Sequence, residues 1–115
     1  FASAGNATDF GDLTQSCNQT SGFSSTTRGV RACGASGGSG AEQNVMDFVT
    51  IASAGNATDF GDSTLTRRGQ GGCSSPTRGL TGGGFTGSVN PNSIDFVTIA
   101  STGNATDFGD FLSSV

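Results

Sequence analysis

Eight residues, Gly5-Asn6-Ala7-Thr8-Asp9-Phe10-Gly11-Asp12, return unchanged at 55–62 and again at 103–110. The flank before them returns as well: Phe1-Ala2-Ser3-Ala4, then Ile51-Ala52-Ser53-Ala54, then Ile99-Ala100-Ser101-Thr102. The copies lie 50 and 48 residues apart. A period near 50 with several short strands in each period is the sequence signature of a propeller or stacked repeat array. The repeats divide the chain into 1–50, 51–98 and 99–115, about two and a third units, with the first starting partway through. Roughly three or more such units are needed to bury their apolar faces. Completion by neighbouring copies or other chains is therefore expected. The start at Phe1 reads as a processed product, an excerpt, or the ordered part of something longer.

Charge narrows the partners. Five Arg, no Lys and nine acidic residues give a net charge of −4, and six of the eight Asp fall inside the repeated octapeptide. Phosphate binding needs a basic surface, so a nucleic-acid partner is not expected. The same lack argues against docking on an anionic membrane. No apolar run approaches the ~20 residues of a membrane span, and no basic start leads into an apolar segment. Twenty glycines with abundant Ser and Thr admit disorder. The regular return of Phe, Val and Ile argues for order instead.

Each repeat contains four strand candidates. The first, 45–52 and its match 94–100, is rich in β-branched and aromatic residues. Alternation puts Met46, Phe48 and Thr50 on one face and Asp47, Val49 and Ile51 on the other, both partly apolar, as in a sheet packed between sheets. A turn over 53–56 leads to the second strand, 57–65, whose Gly61 predicts a bulge or a close backbone approach. The third and fourth strands are 70–74 and 78–84, around a turn at 75–77. Their counterparts in the first repeat are 20–24 and 28–34, around 25–27. The segments 35–44 and 85–93 differ in length between repeats, which marks them as exposed loops.

These residues resemble kelch-type repeats. Leu80-Thr81-Gly82-Gly83-Gly84 looks like the kelch glycine cluster, Phe96 stands where kelch repeats carry a Tyr, and Phe108 stands roughly where they carry a Trp. The first repeat departs from the pattern, with Val30-Arg31-Ala32-Cys33-Gly34 in place of the glycine triplet, so its inner strand is expected to pack differently. The wording Ile94-Asp95-Phe96-Val97-Thr98-Ile99-Ala100 before the third octapeptide is similar to kelch-like repeats of tailed bacteriophages of the marine cyanophage type. The resemblance implies four-stranded propeller blades. Two repeats cannot close a ring, so it also implies closure through other chains, or an open filament if a head-to-tail contact does not close.

Several residues are weighed for chemistry. Asn6, Asp9 and Asp12, with Asn56, Asp59, Asp62 and Asn104, Asp107, Asp110, offer clustered oxygens of the kind Ca²⁺ favours. Their spacing matches no calcium loop, and a strand would point the two Asp of each set to opposite faces. Asn capping a turn and Asp accepting backbone N–H groups at strand ends is the preferred reading. Arg28 and Arg78, each in Thr-Arg-Gly, are read as inter-blade ties to an Asp of the octapeptide rather than as a clamp on a ligand anion. A hairpin centred on Ser25 would bring Cys17 opposite Cys33, a candidate disulfide, while Cys73 is read as a buried apolar residue. Asn6, Asn18, Asn56 and Asn104 begin Asn-x-Thr sequons, glycosylation candidates only in a secreted eukaryotic protein.

Without His or Lys, and with no nucleophile spaced from a base, neither an enzyme nor a cofactor is expected. The expectation is an all-β structural and binding protein that partners itself, other virion proteins and a host-surface glycan or protein. Its expected location is a virion or extracellular surface, in a tail, fibre or capsid-surface component. A non-viral extracellular filament, glycosylated on its sequons, is the alternative.

Overall fold

The computed structural model describes residues 2–114. Phe1, which opens the first flank, and Val115, which ends the third repeat, lie outside the described residues. The structure is all-β. Its strands are β1 (Cys17–Asn18), β2 (Ser21–Ser24), β3 (Arg28–Ser36), β4 (Glu42–Thr50), β5 (Thr58–Arg67), β6 (Gly71–Ser74), β7 (Arg78–Gly82), β8 (Ser93–Thr98) and β9 (Thr106–Asp110). They form two antiparallel sheets. The first runs β1-β3-β4-β5 with β2 also on β3, and the second runs β6-β7-β8-β9. Neither sheet closes on itself among the described residues.

The sheets repeat each other residue by residue. Val30 opposes Phe48 and Arg31 opposes Asp47 across β3 and β4. Leu80 opposes Phe96 and Thr81 opposes Asp95 across β7 and β8. The next pair of strands carries a bulge at the octapeptide's Phe. Met46 opposes Gly61 while Asp47 opposes Asp59, which leaves Phe60 as the extra residue, and Phe108 is left over in the same way between Asp107 and Gly109. Gly61 and Gly109 follow with φ of 141° and 148°, a region an L side chain rarely adopts. The Asp before the bulge stabilises it: Gly61 N–H donates to Asp59 Oδ1 at 3.3 Å, and Gly109 N–H to Asp107 Oδ1 at 3.2 Å. The Asp-Phe-Gly of the repeat is thus a bulge signal, and it aims the Phe ring at the neighbouring strand. Phe60 meets Phe48 edge-on at 5.8 Å, and Phe108 meets Phe96 at 5.9 Å.

The sheets stack face to face. Phe23, Val30, Ala32, Cys33, Met46 and Phe60 of the first meet Val97 and Ile99 of the second in one buried cluster. The ring of Phe23 lies directly on Gly79, where any side chain would collide with it. A glycine in β7 is what lets the two sheets approach there.

Several boundaries differ from expectation: β4 is Glu42–Thr50 rather than 45–52, β5 is Thr58–Arg67 rather than 57–65, β7 ends at Gly82 rather than 84, and β8 is Ser93–Thr98 rather than 94–100. The first variable segment, 35–44, is half strand: β3 runs on to Ser36, β4 starts at Glu42, Ala35 is buried opposite Glu42, and the loop shrinks to 37–41. β3 continues through a kink at Cys33 and Gly34, with φ of 55° and 110°, whereas β7 ends at Gly82, just before the matching positive φ of Gly83 and Gly84. The turn between β2 and β3 also sits later than Ser25. Ser25 Oγ accepts from the N–H groups of Thr27 and Arg28, so the turn spans Ser25–Arg28. Every cross-strand partner is displaced with it.

Candidate functional site

The feature that recurs with fixed geometry is the contact between successive octapeptides. Gly55 N–H donates to Phe10 O and Ala57 N–H to Asp12 O, each at 2.8 Å. One repeat later Gly103 N–H donates to Phe60 O at 2.7 Å and Ala105 N–H to Asp62 O at 2.8 Å. The Asn completes each rung: Asp12 N–H donates to Asn56 Oδ1, and Asp62 N–H to Asn104 Oδ1, both at 3.0 Å. Glycine is required at the crossing. A Cβ on Gly11 would clash with the carbonyl of Gly55, and one on Gly61 with the carbonyl of Gly103.

Side-chain bonds of this kind engage four of the nine residues weighed as calcium ligands. Asn56 and Asn104 bridge to the preceding repeat, Asp59 and Asp107 hold their bulges, and Asp9, Asp12, Asp62 and Asp110 are exposed. Among the described residues no three Asp, Glu or Cys side chains converge. The Asn is a rung between repeats, not the turn cap expected. Asn6 is exposed like its copies and makes no rung among the described residues.

A second recurring group lies under the ladder. Asp47 and Asp95, each about 1% exposed, sit mid-strand between apolar neighbours. Arg31 Nη2 meets Asp47 Oδ1 at 2.6 Å, and Thr14 N–H donates to Asp47 Oδ2 at 2.9 Å. Asp95 is held by Arg67 Nη2 at 2.8 Å, the hydroxyls of Ser63 and Thr64 at 2.6 Å each, and the Thr64 N–H at 2.9 Å. Burial opposes the ionisation of both carboxyls. At Asp47 the Arg31 guanidinium and Thr14 outweigh it, and at Asp95 Ser63, Thr64 and Arg67 do so, holding both below the ordinary value. Thr14 and Thr64 lie two residues beyond the end of an octapeptide, so each buried Asp also fastens the incoming segment to the sheet. Sequence reasoning missed this group. An Asp between Met46 and Phe48, or between Ile94 and Phe96, was the available signal, since a carboxylate there needs a buried cation.

Arg28 does tie repeats, but not through an Asp. Its guanidinium lies 4.3 Å over the Phe48 ring, and Nη1 donates to Ile99 O, at the start of the third repeat, at 3.1 Å. Arg78 stacks likewise on Phe96 at 4.7 Å. Cys17 and Cys33 do not pair. The later turn sets Cys17 opposite Ser36, three residues beyond Cys33, and all three cysteines are free. Cys33 is buried, and desolvation pushes its thiol up despite Ser63 and Arg67 beside it. Cys73 is exposed rather than buried. The sequon residues Asn6, Asn18, Asn56 and Asn104 are all exposed.

Two faces of the stack stay open. The outer face of the first sheet carries an apolar groove of about 410 Å³ lined by Leu13, Gly29, Val49 and Ala57, with Arg31 and Asp47 beside them. The outer face of the second carries one of about 220 Å³ lined by Cys73, Leu80, Ile94 and Phe111. The loops meet at one edge: Glu42, at the end of loop 37–41, pairs with Arg68 at 3.4 Å and lies against Gly87 of the second loop.

The sequence matches no protein-family model, and a search of curated proteins returned no match.

Proposed function

We propose that the chain is a non-enzymatic structural and binding repeat protein that presents its two loops, side by side, to a host-surface glycan or protein. One observation carries this reading: the recurring Asn56 and Asn104 side chains join each repeat to the one before it, while the two non-recurring loops share an edge. The most specific form of the reading is a tailed-phage virion component of the tail, fibre or capsid surface, assembled with copies of itself and other virion proteins. The kelch-like resemblance and the four-stranded meander β6-β7-β8-β9, the unit of a propeller blade, support it. Many weak loop contacts, summed over an assembly, give avidity.

A loop variant tests the reading. Residues 37–41 and 86–92 are replaced by Gly-Ser turns of matching length, and the fold is checked by circular dichroism. Binding to a glycan array and to intact bacterial cells is expected to fall at least about tenfold, the ordinary scale for avidity lost. Unchanged binding ends the loop reading. The second reading, a non-viral extracellular filament, draws on the two open faces. Glycan mass on Asn6, Asn18, Asn56 or Asn104 of native material would favour it.

A further inference from the structure

We infer that residues 8–14 are an exchangeable strap: on the first sheet they hold the place that residues 106–112 of a second copy fit, and copies join when the neighbour's segment displaces the chain's own. The inference deepens the structural reading above, and rests on it, by naming the contact through which copies assemble.

Three octapeptides serve only two sheets. The second octapeptide fills two roles. Its strand, β5, pairs with β4 of the first sheet, and Ser63 and Thr64 just beyond it hold Asp95 of the second. The first and third octapeptides fill one role each. Residues 8–14 lie on the first sheet, where Phe10 O and Asp12 O take the N–H groups of Gly55 and Ala57 and the Thr14 N–H reaches Asp47, but they belong to no strand. β9 pairs with β8, but lies on no further sheet among the described residues. The strap is also held at one end only. Beyond it Ser16 O accepts from Gly37 N–H and β1 pairs with β3, whereas residues 2–7 ahead of it are exposed and make no rung.

The third octapeptide is equipped for the second role. Phe108 O, Asp110 N–H and Asp110 O take no rung partner among the described residues. Gly109 has the φ of Gly11, 148° against 147°, yet the Gly55 carbonyl crosses Gly11 and nothing lies near Gly109. Phe60 is 2% exposed in β5, whereas Phe108 is 53% exposed in β9. On the receiving side Ile51 is 48% exposed, whereas its counterpart Ile99 is fully buried. Exchange pairs Phe108 O and Asp110 O of one copy with the Gly55 and Ala57 N–H groups of the next, and the Leu112 N–H with its Asp47. Phe111 replaces Leu13, and Arg78, already stacked on Phe96, gains Ile51 O of the second copy, as Arg28 has Ile99 O. The rungs lost and gained are equal in number, so the driving force is the apolar surface of Phe108 and Ile51 that comes under cover. Two things oppose it. The tether keeps the chain's own strap at an effective concentration on the order of millimolar. Leu112 also lacks the Thr14 side chain, which helps to hold Asp47. Exchange is therefore a concentrated-solution state, and because its contact is heterologous it ends in a ring or an open polymer.

A matched pair of glycines separates the two occupants. A Cβ on Gly11 meets the Gly55 carbonyl and loosens the chain's own strap. A Cβ on Gly109 meets nothing in the single copy, but in the exchanged state it meets the Gly55 carbonyl of the second copy. Backbone strain is shared, since the two φ values agree. The test is the native mass of the full chain by light scattering from micromolar to millimolar, with folding checked by circular dichroism. Gly11→Ala should associate at a concentration about tenfold or more below that of the unsubstituted chain, the scale of one or two rungs released. Thr14→Pro, which removes the N–H given to Asp47, should act in the same direction. Gly109→Ala should stay a single copy throughout, and so should Gly11→Ala with Gly109→Ala. Single copies at every concentration for Gly11→Ala and Thr14→Pro overturn the inference, as does association that Gly109→Ala leaves unchanged. Failure here with loop-dependent cell binding intact leaves the loop reading standing. The reverse pattern removes the loop reading and keeps the exchange.

Discussion

Asp95 and Arg67 show what one residue can carry in a chain with so few charges. Asp95→Asn keeps the volume and removes the anion, so Arg67, with its side chain fully buried, is left without a counter-charge. Breaking a buried pair from one side costs roughly 3–5 kcal/mol. The urea midpoint should fall accordingly, and Arg67→Met with Asp95→Leu together should cost less than Asp95→Asn alone. Rungs are weaker. Asn104→Ala removes one bond to the Asp62 N–H at an exposed site, and the expected loss is about 1 kcal/mol. Asn6→Ala, with no rung inside the chain, should leave the unfolding midpoint of a dilute single copy unchanged. Equal effects at the two sites would mean that the rung contributes nothing.

The octapeptide is an element in its own right, and a matched pair of glycines measures it. Gly61→Ala and Gly109→Ala meet the same backbone strain, on the order of 1–3 kcal/mol. Only Gly61→Ala also drives a Cβ into the Gly103 carbonyl and opens the rungs. In dilute protein the first variant should be less stable than the second by more than about 1 kcal/mol, the scale of one lost main-chain bond. Much at this scale was legible beforehand. The period located the strands, and the Gly after Phe60 announced both the bulge and the close approach that the structure has. The hairpin register was not legible from strand propensity, because it depends on where one hydroxyl accepts. Ser25 and its counterpart Ser75 each take the N–H groups two and three residues on. That repeated Ser-x-Thr-Arg was the overlooked cue, and missing it placed Cys17 opposite Cys33. The cation of each buried Asp was hidden for another reason. Arg31 reaches Asp47 across its own sheet, whereas Arg67 reaches Asp95 from β5, at a position where the first repeat has Cys17, so no shared spacing reveals them.

At the scale of the whole molecule the two buried carboxylates act together, one in each sheet, and β5 links their surroundings. Its first half pairs with β4, and Ser63, Thr64 and Arg67 then hold Asp95. Loss of the Asp95 charge therefore loosens the junction between the sheets, whereas loss of the Asp47 charge loosens β3, β4 and the segment at Thr14. Both carboxyls titrate below their ordinary value of 3.8 when folded. The unfolded chain then binds more protons than the folded one through that range, so stability rises with pH across it. The contribution is complete above the unfolded value and is lost as pH falls through the folded values. Thermal unfolding should hold a constant midpoint from neutrality to about pH 5, roughly one unit above the unfolded carboxyl, and drop steeply below pH 4. Salt should barely move the transition, since buried pairs are poorly screened. In Asp95→Asn the acid slope should be shallower, because Asp47 alone remains to be protonated, and the midpoint at neutrality should already be lowered. A parallel pair of curves, displaced but with the same acid slope, would show that the buried Asp95 does not carry the acid sensitivity.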